Sequence, residues 1–173
     1  MHGEDESASG GRGKSAESRN GPSVSNVIDA MGAQERAIVS ELRDSARALA
    51  GVEERTLLDG FCREWTPAFY AQGIQLFHVH SFQKELRATI FVGVNTLGPL
   101  ILESDEVSPE MRLLLTETSA PRGTMQVRVP LTSSEDVSGF MGMVRVKYAF
   151  AQRYPRKPST GVKTSKGSTE NVR

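Results

Sequence analysis

Between Val27 and Leu49 the apolar residues Val27, Ile28, Met31, Ala37, Ile38, Leu42, Ala46 and Leu49 recur at three- and four-residue steps, with charged residues between them. This is the stripe of an amphipathic helix, one or two split near Gly32, and Gly51 supplies a C-terminal stop. Val52 to Gly60 reads as a link. From Phe61 to Val94 the period falls to two, through Phe61, Trp65 and Phe69, then Ile74 to Phe82, then Leu86 to Val94. Ala71-Gln72-Gly73 and Gln83-Lys84 punctuate it, so three strands in a meander are predicted.

Leu97 to Leu102 predicts no more than a helical turn around Gly98-Pro99. Ser108-Pro109-Glu110 then opens a helix, with a capping hydroxyl, proline at the first helical position and an acid in the first turn. It carries Met111, Leu114 and Leu115 inward and ends before Pro121. After an Arg122-Gly123 turn, Met125, Val127 and Val129 alternate with Gln126 and Arg128 in a fourth strand ending at Pro130. Thr132-x-x-Glu135 reads as a capping box for a last helix that buries Val137, Phe140, Met141, Val144 and Tyr148. Gly139 and Gly142 each weaken that helix by about 1 kcal/mol relative to alanine, which implies close packing against the sheet.

The order helix, three strands, helix, strand, helix predicts an α+β domain: a four-stranded, mostly antiparallel sheet with helices packed on one face. The opposite face would then be open, and the turns say what it carries. A two-residue loop at Gln83-Lys84 sets His80 opposite Arg87 and His78 opposite Thr89, with Val79 and Phe77 opposite Ala88 and Ile90 on the core side. A three-residue loop at Ala71 to Gly73 turns Trp65 and Pro67 inward and sets Glu64 beside His80 and Thr66 beside His78. Two rows result, Glu64–His80–Arg87 and Thr66–His78–Thr89, and a one-residue slip in either turn would dissolve them.

Two imidazoles at i and i+2 on one strand face, with Glu64 beside one of them, form a candidate metal site or proton-transfer site. Against this stands a solvated sheet face whose charges pair across strands for under about 1 kcal/mol each. Ile74, Leu76 and Phe91 fall on the same outer face as an apolar patch, and pairing with a second copy of the chain is the simplest way to cover it. Cys62 also points outward, without a histidine in its row, as an inert thiol.

Composition narrows the classes. The 173 residues carry 21 basic and 21 acidic side chains and one cysteine, which excludes a disulfide framework and a zinc-finger set. Residues 1–25 are rich in Gly and Ser and 152–173 in basic and small polar residues, so both are expected to be disordered tails around a single domain at 26–151. The domain has a net charge of −4, and the C-terminal tail has six basic residues against Glu170. A tail so sparse, lacking interleaved aromatics, argues against nucleic-acid binding. Met1 to Gly21 has no apolar core for a secretory signal, and Ala88 to Leu102 is too short and interrupted to span a bilayer, so a cytoplasmic protein without a membrane partner is expected. No Gly-rich phosphate loop or nucleophile elbow points to an enzyme, and no cofactor is indicated.

The run from Trp65 through the strands, then Ser108-Pro109-Glu110-Met111-Arg112-Leu113-Leu114, Arg122-Gly123-Thr124-Met125-Gln126-Val127-Arg128-Val129 and Ser134-Glu135-Asp136-Val137, resembles the bacterial domain-of-unknown-function family 3788. The resemblance spans about residues 53–150 and implies a small α+β domain, with no activity and no catalytic residue carried over. The long N-terminal extension and His78 and His80 depart from the family pattern. A weaker similarity, to small frataxin-like iron chaperones, would favour metal handling, although the acidic helix typical of iron binding is missing. The expectation is a binding or interaction module acting through the open sheet face, with a metal-dependent or acid/base enzyme built on Glu64, His78 and His80 as the alternative.

Overall fold

The computed structural model describes residues 21–60 and 62–157. Phe61 and residues 1–20 and 158–173, which make up most of the expected tails at 1–25 and 152–173, lie outside the described residues. The order is α1 (Val24–Asp29), α2 (Ala33–Arg47), β1 (Glu53–Leu58), β2 (Trp65–Ala71), β3 (Ile74–Phe82), β4 (Glu85–Gly93), α3 (Leu97–Glu103), α4 (Pro109–Glu117), β5 (Thr124–Pro130) and α5 (Ser134–Arg153). The protein is α+β, and its strands form one antiparallel meander in the order β1-β2-β3-β4-β5. Among the described residues no helix is long and apolar enough to cross a membrane.

The sheet therefore has five strands and not four, because the expected link at Val52 to Gly60 contains β1. Its alternation is hidden by charge. Glu54 shares the parity of core-facing Phe69, its partner on β2, where a strand would normally show an apolar residue. Arg43 of α2 donates to both oxygens of Glu54 at 2.8 and 2.5 Å, and Arg47 adds a contact of 2.7 Å. The hydrogen bond from Arg43 holds the Glu54 carboxyl below the usual carboxylate range.

Helical turns form where local chemistry favours them. Ser23 and Ser108 cap α1 and α4 by accepting from Asn26 N and Met111 N. The capping box of α5 is Ser133 with Asp136, one residue beyond the expected Thr132 and Glu135; the Asp136 carboxylate also accepts from Thr132. The expected turn at Leu97 is a full helix, α3, since Leu97 and Ile101 are buried in the core. Helix α2 ends at Arg47, before Gly51, which instead takes a left-handed φ of 73° in the following turn. At its far end α5 runs to Arg153, and Arg156 N–H donates to Gln72 O at 3.0 Å, tying residues past the expected boundary at 151 to the β2–β3 turn.

The core gathers Phe69, Phe77, Val79, Ala88, Ile90 and Val127 of the sheet against Phe140, Met141 and Val144 of α5. Phe77 stacks on Phe69 at 4.6 Å between centroids and meets Phe140 edge-on at 5.3 Å. Lys147 of α5 is buried here and donates to Phe91 O at 2.8 Å. The β3–β4 pairing begins only at His78, so the Lys147 ammonium supplies a donor where β3 leaves the ladder; burial pushes its pKa down to about 8.

The two α5 glycines differ. A Cβ on Gly142 would lie 2.3 Å from Glu106 O and 3.2 Å from its carbonyl carbon, so this glycine admits the α3–α4 link and not, as expected, the sheet. A Cβ on Gly139 would meet only Met111 side-chain atoms, at 3.7 Å and beyond, before Ser108 Oγ at 4.0 Å. Gly142→Ala is accordingly expected to destabilise by about 2 kcal/mol net, overpacking exceeding the gain in helix propensity, whereas Gly139→Ala should stabilise by up to about 1 kcal/mol. Urea midpoints of the two variants check this; shifts of the same sign would refute the assignment of the contact.

Candidate functional site

The β3–β4 hairpin turns at Gln83 and Lys84, both left-handed at φ 50° and 65°, the two-residue geometry that matches strand twist. It pairs His80 with Arg87, His78 with Thr89 and Val79 with Ala88, as the spacing predicts. The β2–β3 turn differs. It is the two-residue pair Gln72 and Gly73, with Ala71 opposite Ile74, and a bulge between Phe69 and Tyr70 then shifts the register by one.

The two departures offset each other in parity, so His78 and His80 remain on the side opposite Phe77 and Val79. In position they do not cancel. Ala68, not Thr66, stands opposite His78, and continuing that register two residues further sets Thr66, not Glu64, across from His80. The bulge also turns Leu76 into the core and packs Ile74 against it, so of the three apolar residues expected outside only Phe91 stays there, 36% exposed. Trp65 shares the core-side parity but lies at the rim, 38% exposed, where its ring is close enough to Gly21 that a Cβ there would clash at 2.5 Å.

The outer rows are completed by β5. Thr89 pairs with Arg128 and Arg87 with Pro130, so an imidazole, a hydroxyl and a guanidinium stand in line as His78–Thr89–Arg128. Over this face lies a cavity of about 570 Å³. Leu57, Leu58, Phe82 and Phe91 supply apolar wall; Gln75, Arg87, Gln126 and Arg128 supply polar groups. Asp59 and Gly60, from the loop after β1, close its side above the histidines.

Both histidines are buried, at 3% and 8% exposure, with rings stacked at 5.6 Å. His78 Nε2 lies 3.6 Å from Asp59 Oδ2, and His78 Nδ1 lies 3.3 Å from Gln75 Nε2. A ring nitrogen that accepts from the Gln75 amide leaves its Nε2–H directed toward the carboxylate. Among the described residues, His80 Nδ1 and Thr89 Oγ1 are buried without a hydrogen-bond partner. Burial holds the His78 pKa down at about 4 and lowers that of His80, the nearby Asp59 charge opposing and Arg128 reinforcing the shift in both. Both imidazoles are therefore neutral at pH 7.

One donor atom from each of Asp59, His78 and His80 lies within 4.8 Å of the others. Tetrahedral ligands about 2 Å from a zinc ion are about 3.3 Å apart, so the set needs a contraction of an ångström or so, which loop rotamers can supply. Glu64, the carboxylate expected from sequence, is exposed and stands outside this donor set, although its charge reaches His80. Asp59 takes that place because the β1–β2 loop folds back, Asp59 N donating to Glu64 O at 2.9 Å and Cys62 N to Asp59 Oδ1 at 3.1 Å. Its signal in the sequence is a lone Asp-Gly at the end of a segment that reads as a link. Thr66 is buried and spends its hydroxyl on Leu57 O. The Cys62 thiol is pushed up by burial, which favours the protonated, unreactive form.

No protein-family model matches the chain, and no curated protein or solved structure does either.

Proposed function

We propose that this protein is a small binding domain whose outer sheet face holds a divalent transition-metal ion on Asp59, His78 and His80. The observation that carries the reading is the convergence of those three donors within 4.8 Å of one another. Two imidazoles and a carboxylate suit zinc(II) or iron(II), and three protein ligands leave positions open toward the cavity. The buried His80 Nδ1, without a partner among the described residues, supports it: that costs about 1–3 kcal/mol, which an ion held on this nitrogen would recover. Gln75, whose amide lies 3.3 Å from His78 Nδ1, would serve as the outer partner of His78, turning to accept from Nδ1–H once Nε2 is a ligand. The reading takes the helical layer to be confined to the Phe77 side, leaving this face for ligand. The resemblance to family 3788 stands beside it as a proposal about ancestry alone, for it brings no site residue.

Zinc chloride titrated into the metal-free full chain is expected to raise its stability by about 2.7 kcal/mol at a hundredfold excess over Kd, roughly 8 °C in Tm. The histidine side-chain NMR signals should shift over the same range. Asp59→Asn and the double variant His78→Ala/His80→Ala should lose both responses. An equal rise in Tm in the wild type and both variants would falsify the site.

A further inference from the structure

The cavity is larger than an ion needs. Its volume of about 570 Å³ falls in the range of small-molecule sites, and its polar groups are arranged unevenly around it. On the far side from Asp59, Arg128 projects from β5, and its only hydrogen bond among the described residues is to the neutral Gln126 Oε1, at 2.9 Å. Arg87, by contrast, is engaged by Glu85. Between Arg128 and His78 in the row lies Thr89, fully buried, its hydroxyl without a partner among the described residues. Against this polar line stands an apolar wall, Phe91 beside the His78 ring at 5.9 Å, with Leu58 and Phe82.

Resting on the metal reading above, we infer that the cavity takes a small organic carboxylate, bound between the metal's open positions and Arg128, with its apolar body on Phe91. The chemistry follows from the parts. The ion and Arg128 are two positive centres facing one cavity whose lining holds a single carboxylate, Asp59, and a guanidinium pairs with a carboxylate through two parallel hydrogen bonds. A planar or branched hydrocarbon body fits a wall made of Phe91, Phe82 and Leu58, whereas inorganic phosphate would leave that wall wet.

Calorimetric titration of benzoate into the zinc-loaded full chain tests this, with benzyl alcohol and inorganic phosphate as comparison probes. Benzoate is expected to bind at least tenfold more tightly than either. Arg128→Gln should weaken benzoate tenfold or more while leaving the zinc Kd within twofold of wild type; Phe91→Ala should weaken benzoate and leave zinc unchanged. Zinc binding without benzoate binding, or benzoate binding indifferent to Arg128→Gln, overturns the carboxylate site and leaves the metal reading standing. Benzoate binding of equal strength in the metal-free protein removes the ion from the carboxylate site. Failure of zinc to bind at all is a failure of the metal reading, seen before benzoate is added.

Discussion

Between pH 6.5 and 4 the metal-free protein is expected to lose about 3 kcal/mol of stability through His78 alone, the product of the pKa difference and the linkage slope of about 1.4 kcal/mol per bound proton. The sign follows from the lowered folded-state pKa. The unfolded chain takes up a proton near pH 6.5, while the folded one holds His78 neutral down to about 4, so the unfolded state binds more protons in that window and stability falls with pH. His80, lowered for the same reason of burial, adds to the slope. Glu54 and Asp136, whose carboxyls are held below their ordinary range, protonate at still lower pH and leave the upper part of the window to the imidazoles. Urea unfolding at half-unit steps from pH 7 to 4.5, on wild type and His78→Gln, reads the effect directly. Parallel curves for the two proteins would show that His78 titrates normally, and with it that the ring is not enclosed.

Phe77→Ala should cost about 4 kcal/mol, near the top of the range for a large core truncation. Phe77 is fully buried and sits between two other rings, Phe69 in the same sheet and Phe140 of α5, so its removal leaves a void that three elements would have to collapse to fill. Small domains have only about 5–15 kcal/mol in total, which makes this loss visible as a large drop in urea midpoint at unchanged slope. The neighbouring residue of β3 is His78, facing the other way. A Phe77→Leu variant, which keeps most of the volume, should cost under about 1.5 kcal/mol and retain the zinc response. A loss below that value for Phe77→Ala would mean that the ring is not the keystone of the α5 contact.

The legible parts of this fold were those whose cause is local. Gln83-Lys84 between two alternating runs specified a hairpin, and its register followed residue for residue because two-residue loops leave no freedom. Ser108-Pro109 marked the start of α4 through its own hydroxyl and ring. Where the cause was distant, the pattern misled. Strand β1 shows Glu54 at a core-facing position because arginines from α2 neutralise it, and nothing within Glu53–Leu58 announces those partners. The β2–β3 register moved by two because a bulge added a residue after a tighter turn, and a bulge has no signature in the spacing of apolar residues.

The amino-acid order by itself determined the α+β class, the antiparallel meander and the side of β3 from which His78 and His80 project, since period-two alternation and turn chemistry act over a few residues. Which carboxylate joins them was decided only by the tertiary structure. Asp59 lies nineteen positions before His78 in the chain and reaches it through the fold-back of the loop after β1, while Glu64, nearer in sequence, is displaced by two positions from its expected place beside His80. Arg128 likewise enters the row of His78 and Thr89 only because β5 is laid beside β4. A meander brings distant residues into line through hydrogen-bonded pairing, and that pairing is a property of the assembled sheet.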